Sequence, residues 1–133
     1  MIDDIRRIAI ERANGCCEYC RLPASMLPSV AFQLDHVRAR QHGGSNGLEN
    51  LCYACRHCNL YKGTNQSAYD PETDQLVRLF HPRRDKWDDH FRMNGAWIMG
   101  KTSEGRATAA LLQMNDALRI ELRTLYIEDS PDS

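Results

Sequence analysis

Cys17-x-x-Cys20 and Cys55-x-x-Cys58 are two thiol pairs at the spacing at which one tight turn offers two ligands to one metal ion. Four thiolates suit a closed, tetrahedral structural zinc site. The segment 15–30 is rich in turns and carries two prolines, so it has little core of its own and a metal staple makes physical sense there. The pairing has alternatives within the sequence. Cys52-x-x-Cys55 has the same spacing, and Cys16 sits beside Cys17. Cys16 could ligate only through a different loop geometry, and Cys52 reads more simply as a small buried hydrophobe.

A second set of residues suits different chemistry. His36 has the intrinsic pKa to take a proton from water near neutral pH. Asp35 and Asn59 offer oxygen donors, which suit hard Mg²⁺ or Mn²⁺ better than a further zinc ion. Adjacent strand residues point to opposite faces, so Asp35 and His36 must sit at a strand end or bulge to act on one group. Asn50 and Asn59 could equally be a turn residue and an ordinary helix residue. His42 reads as a residue of the glycine loop, and His57, between Cys55 and Cys58, as exposed or phosphate-facing.

Residues 2–13 place Ile5 and Ile8, with Ile2 and Ala9, at helical spacing, and Asn14-Gly15 is a stop signal. AFQLDHV predicts a strand with Phe32 and Leu34 on one face. QHGGSNGLEN is a glycine-rich loop, NLCYA a short second strand or helix approach, and Arg56 to about Gln66 a helix. Tyr69-Asp70-Pro71 marks a boundary. TDQLVRLF then predicts a strand, and HPRRDKWDDHFRM with GAWIMG two more around the hairpin signal Asn94-Gly95. TSEGRATAALLQM and NDALRIELRTLYIE predict helices, with Thr102 or Ser103 and Asn115 as N-caps.

The segment LDHVRARQHGGSNGLENLCYACRHCNLYKG, with the thiol pairs on either side of it, resembles the HNH nuclease motif of the four-cysteine subgroup. The resemblance covers roughly residues 14–66 and implies a ββα-metal core. It selects Cys17, Cys20, Cys55 and Cys58 as zinc ligands. It implies that His36 is the general base, that Asp35 and Asn59 hold a catalytic Mg²⁺ or Mn²⁺, and that Asn50 orients the loop and the histidine. Asn59 stands where other members carry histidine. The implied reaction is hydrolysis of DNA phosphodiester bonds to 5′-phosphate and 3′-hydroxyl ends, which needs an in-line water and positive charge against the oxyanion. The stretch DPET…LFHPRRDKW…HF…GKT…GRAT resembles an extension found on a group of bacterial HNH proteins, without an implied role.

Composition bounds the remaining possibilities. A hydrophobic fraction of 42% and a net charge of −1 exclude a disordered chain and a globally basic coat protein. Locally, Arg38, Arg40, Arg56 and Lys62 face a single acid, Glu49, between His36 and Gly63, while HPRRDK brings Arg83 and Arg84. These six cations are the candidate nucleic-acid contacts, Lys62 foremost. No apolar run is long enough for a membrane span. Acids lead the N-terminus, so it does not read as an export signal, and six cysteines then suggest a reducing, cytoplasmic setting. The expectation is an α+β protein: residues 1–68 as the zinc-knuckled nuclease core, residues 69–133 as a β-hairpin and helical extension packed on it. DNA is the expected partner, and paired cuts on both strands would favour a homodimer. The competing reading is a non-catalytic zinc-dependent nucleic-acid-binding module.

Overall fold

The structure is a computed structural model that describes the backbone of residues 2–129 and the side chains of residues 4–129. The side chain of Ile2 and the end of the acidic tail, from Ser130 on, lie outside the described residues. The chain divides into two units. The first comprises the chain up to Gln66 together with His81–Asp85, and the second comprises Ser67–Phe80 and the chain from Lys86 on. Small antiparallel sheets and helices make both, an α+β architecture. No described helix is long and apolar enough to cross a membrane.

In the first unit, helix α1 (Ile2–Arg12) leads to the knuckle turn, then strands β1 (Gln33–His36) and β2 (Leu51–Ala54) pair antiparallel, and helix α2 (Arg56–Lys62) follows at once. Helix α1 ends where the sequence predicts, because Asn14 and Gly15 both adopt positive φ and Gly15 N–H closes on Ile10 O. Its expected isoleucine face is only partly right. Ala9 is fully buried but Ile8 is exposed, and the helix is fastened by arginines. Arg6 donates to Phe32 O and lies over the Tyr53 ring, while Arg12 donates to Leu48 O and Leu51 O. These long side chains pack their stems while their heads bond carbonyls near the hairpin.

In the second unit, β3 (Ser67–Tyr69) pairs with β4 (Leu76–Arg78), and β5 (Phe91–Asn94) with β6 (Trp97–Gly100). The long strand expected over TDQLVRLF is reduced to three residues. HPRRDKWDDH is not a strand: His81–Asp85 is a turn, and Trp87–His90 forms the short helix α3. The reason is local, since His81 N–H is held by Asp85 Oδ2 and a proline follows it. The Asn94-Gly95 hairpin is present, with Gly95 at φ +59. Helix α4 (Ser103–Leu111) is capped by Thr102, whose hydroxyl accepts from Gly105 N–H. Asn115 does not cap α5 (Ala117–Asp129). It brackets Ile98 by accepting from its N–H and donating to its C=O, and Asp116 accepts from Arg119 N–H instead.

The core of this unit gathers Phe80, Trp87, Phe91, Ile98, Leu112 and Met114. Phe91 packs edge-on to Phe80 and tilted against Trp87. Helix α5 turns an unusual side inward. Arg119 and Arg123 are buried, with Arg123 donating to Ala96 O and Met114 O, while Leu118, Leu125 and Tyr126 stay exposed.

Candidate zinc knuckle and catalytic hairpin

Two tight turns build the knuckle. Cys20 N–H lies 3.5 Å from Cys17 Sγ, and Cys58 N–H lies 3.4 Å from Cys55 Sγ. Arg21 takes positive φ to close the first turn, and Cys55 is the N-cap of α2 in the second. Each turn thus aims backbone N–H groups at the first sulfur of its pair, which favours a thiolate there. All four sulfurs are buried and lie within 4.8 Å of one another, with Cys20 Sγ and Cys55 Sγ 3.8 Å apart. A tetrahedron with Zn–S bonds of about 2.3 Å has edges of about 3.8 Å. The donor type, the spacing and the burial therefore fit zinc. Four adjoining thiols cannot all ionise without a cation. Burial pushes Cys17 up and hydrogen bonding to its neighbours pushes Cys58 up, while hydrogen bonds from Cys17, Cys20 and Cys58 pull Cys55 down. A divalent ion reverses that balance by stabilising every thiolate at once.

The spacing left the pairing open, and the fold assigns it. Cys52 points away from the cluster on β2, fully buried, with Sγ 3.8 Å from Asp35 Oδ2. Burial, then the neighbouring carboxylate, raises its thiol pKa. Cys16 is half-buried and directs Sγ to Asn14 O.

Strand β1 presents Asp35 and His36 to opposite faces. In register, Asp35 pairs with Cys52 and His36 with Leu51. Asp35 faces α2 and is 6% exposed. Its Oδ2 accepts from the Tyr19 hydroxyl at 3.1 Å and pairs with Lys62 Nζ at 3.3 Å. Burial raises its pKa, against the pull of Lys62. Asn59, one turn before Lys62 on α2, donates from Nδ2 to Gln33 Oε1. Helix and strand therefore meet through two polar rungs, Asn59 on Gln33 and Lys62 on Asp35.

His36 turns the other way, half-exposed, with Nε2 2.8 Å from Asn46 Oδ1. An amide oxygen only accepts, so Nε2 is the donor here, and in the neutral ring Nδ1 then holds the lone pair. Asn50 is buried and stitches the intervening loop: Oδ1 accepts from Arg38 N–H, and Nδ2 donates to Arg38 O and Ser45 O. Gly44 allows that closure, since a Cβ there would lie 1.8 Å from Arg38 O.

The expected cation contacts divide. Arg38, Arg40, Arg56 and Arg84 are exposed. Lys62 is a correction: it is 1% exposed and spends its ammonium on Asp35 and on His36 O at 3.2 Å, so it does not reach solvent as a phosphate contact. Its place on the Asn59 face of α2 turns it toward β1. Arg83 is also corrected, because it is largely buried against Glu18, which in turn accepts from Tyr53 N–H. Tyr19, Gln33, Asn46 and Glu18 complete the site and were not singled out by spacing, since each is drawn in by a partner distant in sequence.

The donors of a second metal site can be tested on this geometry. Asp35 Oδ2 is the engaged oxygen, and the Asp35 and Asn59 oxygens are of the hard type that Mg²⁺ or Mn²⁺ takes. Tyr19 and Lys62 stand as outer partners of the carboxylate, a common support for a ligand. The donor set fits in kind, but Asp35 is buried on Lys62 and faces away from His36, so the expectation that the two side chains act on one group is not met in this geometry.

Residues 17–65 match the family model for HNH endonuclease. Septu protein PtuB from Bacillus thuringiensis is 25% identical over 118 residues, which cover 87% of this chain and 43% of that protein. The chain thus spans less than half the length of that relative. No solved structure matches the chain. The two thiol pairs, the β1–β2–α2 unit between and after them, and the match to the HNH endonuclease model all fall on the same stretch, residues 17–65.

Proposed function

We propose that the protein is a metal-dependent DNA endonuclease that hydrolyses phosphodiester bonds with His36 as general base. The observation that supports this most is the state of His36. It ends a strand, reaches solvent, and has Nε2 fixed on Asn46, which leaves Nδ1 to take a proton from water. Asn50 orients that histidine indirectly, by holding the loop that carries Asn46. Asp35 and Asn59 would hold a Mg²⁺ or Mn²⁺ ion, which would supply Lewis-acid chemistry once Asp35 is released from Lys62. Cys17, Cys20, Cys55 and Cys58 hold zinc and so fix where α2 starts. Exposed Arg38, Arg40, Arg56 and Arg84 steer the polyanion by charge.

A second reading draws on the Lys62–Asp35 pair. A carboxylate so buried and already neutralised suits a zinc-dependent nucleic-acid-binding module that keeps the scaffold without cutting. Plasmid cleavage with Mg²⁺, Mn²⁺ and EDTA, beside His36→Ala, separates the two. Metal-dependent cutting lost in the variant supports the enzyme. Absence of metal-dependent cutting, or equal cutting by the variant, leaves the binding module.

A further inference from the structure

A polar cavity of about 320 Å³ opens in the first unit. Its walls include Arg38, Gly43, Gly44, Asn50, His81 and Arg84. The first four come from the hairpin loop, and the last two from the His81–Asp85 turn that groups with this unit. The zinc knuckle and the base histidine make no use of this space.

Its walls are fixed and rich in donors. Arg38 Nε donates to His42 O at 2.6 Å, which holds the guanidinium beside Gly43, with Nη2 3.4 Å from where a Cβ there would stand. His81 Nδ1 accepts from Arg83 N–H, so the ring proton sits on Nε2 and that nitrogen is a donor. The same turn is locked twice more, by His81 N–H on Asp85 Oδ2 and by Arg83 on Glu18. Arg84 is thereby presented from a rigid base while its own side chain is exposed. The acid among the walls, Glu49, is turned back on its own loop. Its carboxylate lies over Gly47 and accepts from Ser45. Two guanidinium groups at one concave place, with the one acid on the wall, Glu49, engaged by Ser45, make an anion site.

The geometry points to a phosphate subsite for the bound strand, in which Arg38 and Arg84 together hold one backbone phosphate apart from the one being cut. This rests on the reading of the protein as a DNA-cleaving enzyme, and it gives the 81–85 turn a role in holding DNA. Asn50 links the two places, since it binds both the Arg38 backbone and the loop that carries Asn46.

The test uses the zinc-loaded full chain in a His36→Ala background, so that binding is read without cutting. A short fluorescent DNA duplex is titrated over a salt series with Arg38→Gln, Arg84→Gln and the double variant, with zinc content and circular dichroism confirming the fold. Each single variant is expected to weaken binding about tenfold. The double variant should weaken it far less than the hundredfold product, because both groups serve one phosphate. It should also lower the slope of log affinity on log salt by about 0.9. Arg84→Gln binding like its parent, or single effects that simply multiply, overturns the shared subsite while cleavage by the unmodified enzyme keeps the nuclease reading. Failure of the parent to bind and of the unmodified protein to cut DNA overturns both.

Discussion

Lys62 Nζ and Asp35 Oδ2 lie 3.3 Å apart, and the two side chains are almost wholly buried between α2 and β1. One end of this pair is a residue expected on the DNA surface, and the other a candidate ligand of the catalytic ion. The pair fastens the helix to the strand that carries His36, because Lys62 also donates to His36 O. Breaking such a pair from one side leaves a buried charge unpaired.

Lys62→Met should therefore destabilise the zinc-loaded protein by about 3–5 kcal/mol. The double variant Asp35→Asn, Lys62→Met should recover a large part of that loss, since it leaves no isolated charge. Urea unfolding of the three proteins checks both statements. A single variant as stable as the parent would show that the pair does not form in solution.

The knuckle predicts one zinc per chain. Cys20→Ser should abolish zinc binding and the fold of the first unit, while Cys52→Ser should leave the metal content unchanged. Elemental analysis after exhaustive dialysis reads the difference. Zinc lost from Cys52→Ser would mean that the other register is the correct one.

Asn46 fixes the tautomer of His36 from a solvent-facing loop, so its removal should cost activity more than stability. Asn46→Ala is expected to lower kcat about 10–100-fold, the usual effect of losing a group that orients a working side chain. Asn50→Ala should act differently, because it strands buried backbone groups of Arg38 and Ser45. A loss of about 1–3 kcal/mol in stability should accompany its loss of activity. Thermal melts beside cleavage rates distinguish the two variants.

Acid should weaken the second unit through Asp70. Its two carboxylate oxygens take a bidentate pair of bonds from Arg106 at 3.0 and 2.7 Å. The Arg106 bonds hold its pKa down to about 2, against the opposing effect of burial. A depressed carboxyl contributes stability above its ordinary pKa and loses it as pH falls toward about 2. Arg106→Gln should move acid unfolding of this unit to higher pH. Both tryptophans of the chain, Trp87 and Trp97, lie in the unit, so their fluorescence follows the transition. An unchanged acid midpoint would remove Arg106 from the account.

Local pattern was enough for the parts whose causes are local. The stop at Asn14-Gly15, the Asn94-Gly95 hairpin and the Thr102 cap each need only a few neighbouring residues to fix their φ or bond an orphan N–H. Periodicity failed where polar side chains do the packing. Arg6 and Arg12 fasten α1, and Arg119 and Arg123 face inward from α5, because a guanidinium can bond carbonyls while its stem packs. The strand expected over HPRRDKWDDHFRM forms only at its end, from Phe91, and its start gave way to a turn for a similar reason, since the side chain of Asp85 captures a backbone N–H that a strand needs.

For the candidate site, residue types and spacing supplied the two thiol pairs, and the resemblance to the HNH motif gathered Asp35, His36, Asn50 and Asn59 into one set. Chain order does not say which thiols converge, because both pairings have the same local spacing. The positions of β2 and α2 decided that, sending Cys52 to the hairpin and Cys55 and Cys58 to the knuckle. Nor does chain order show which cations remain at the surface. Burial depends on which face of α2 meets β1 and on how the 81–85 turn docks. That geometry withdrew Lys62 and Arg83 into ion pairs and left Arg38 and Arg84 at one cavity.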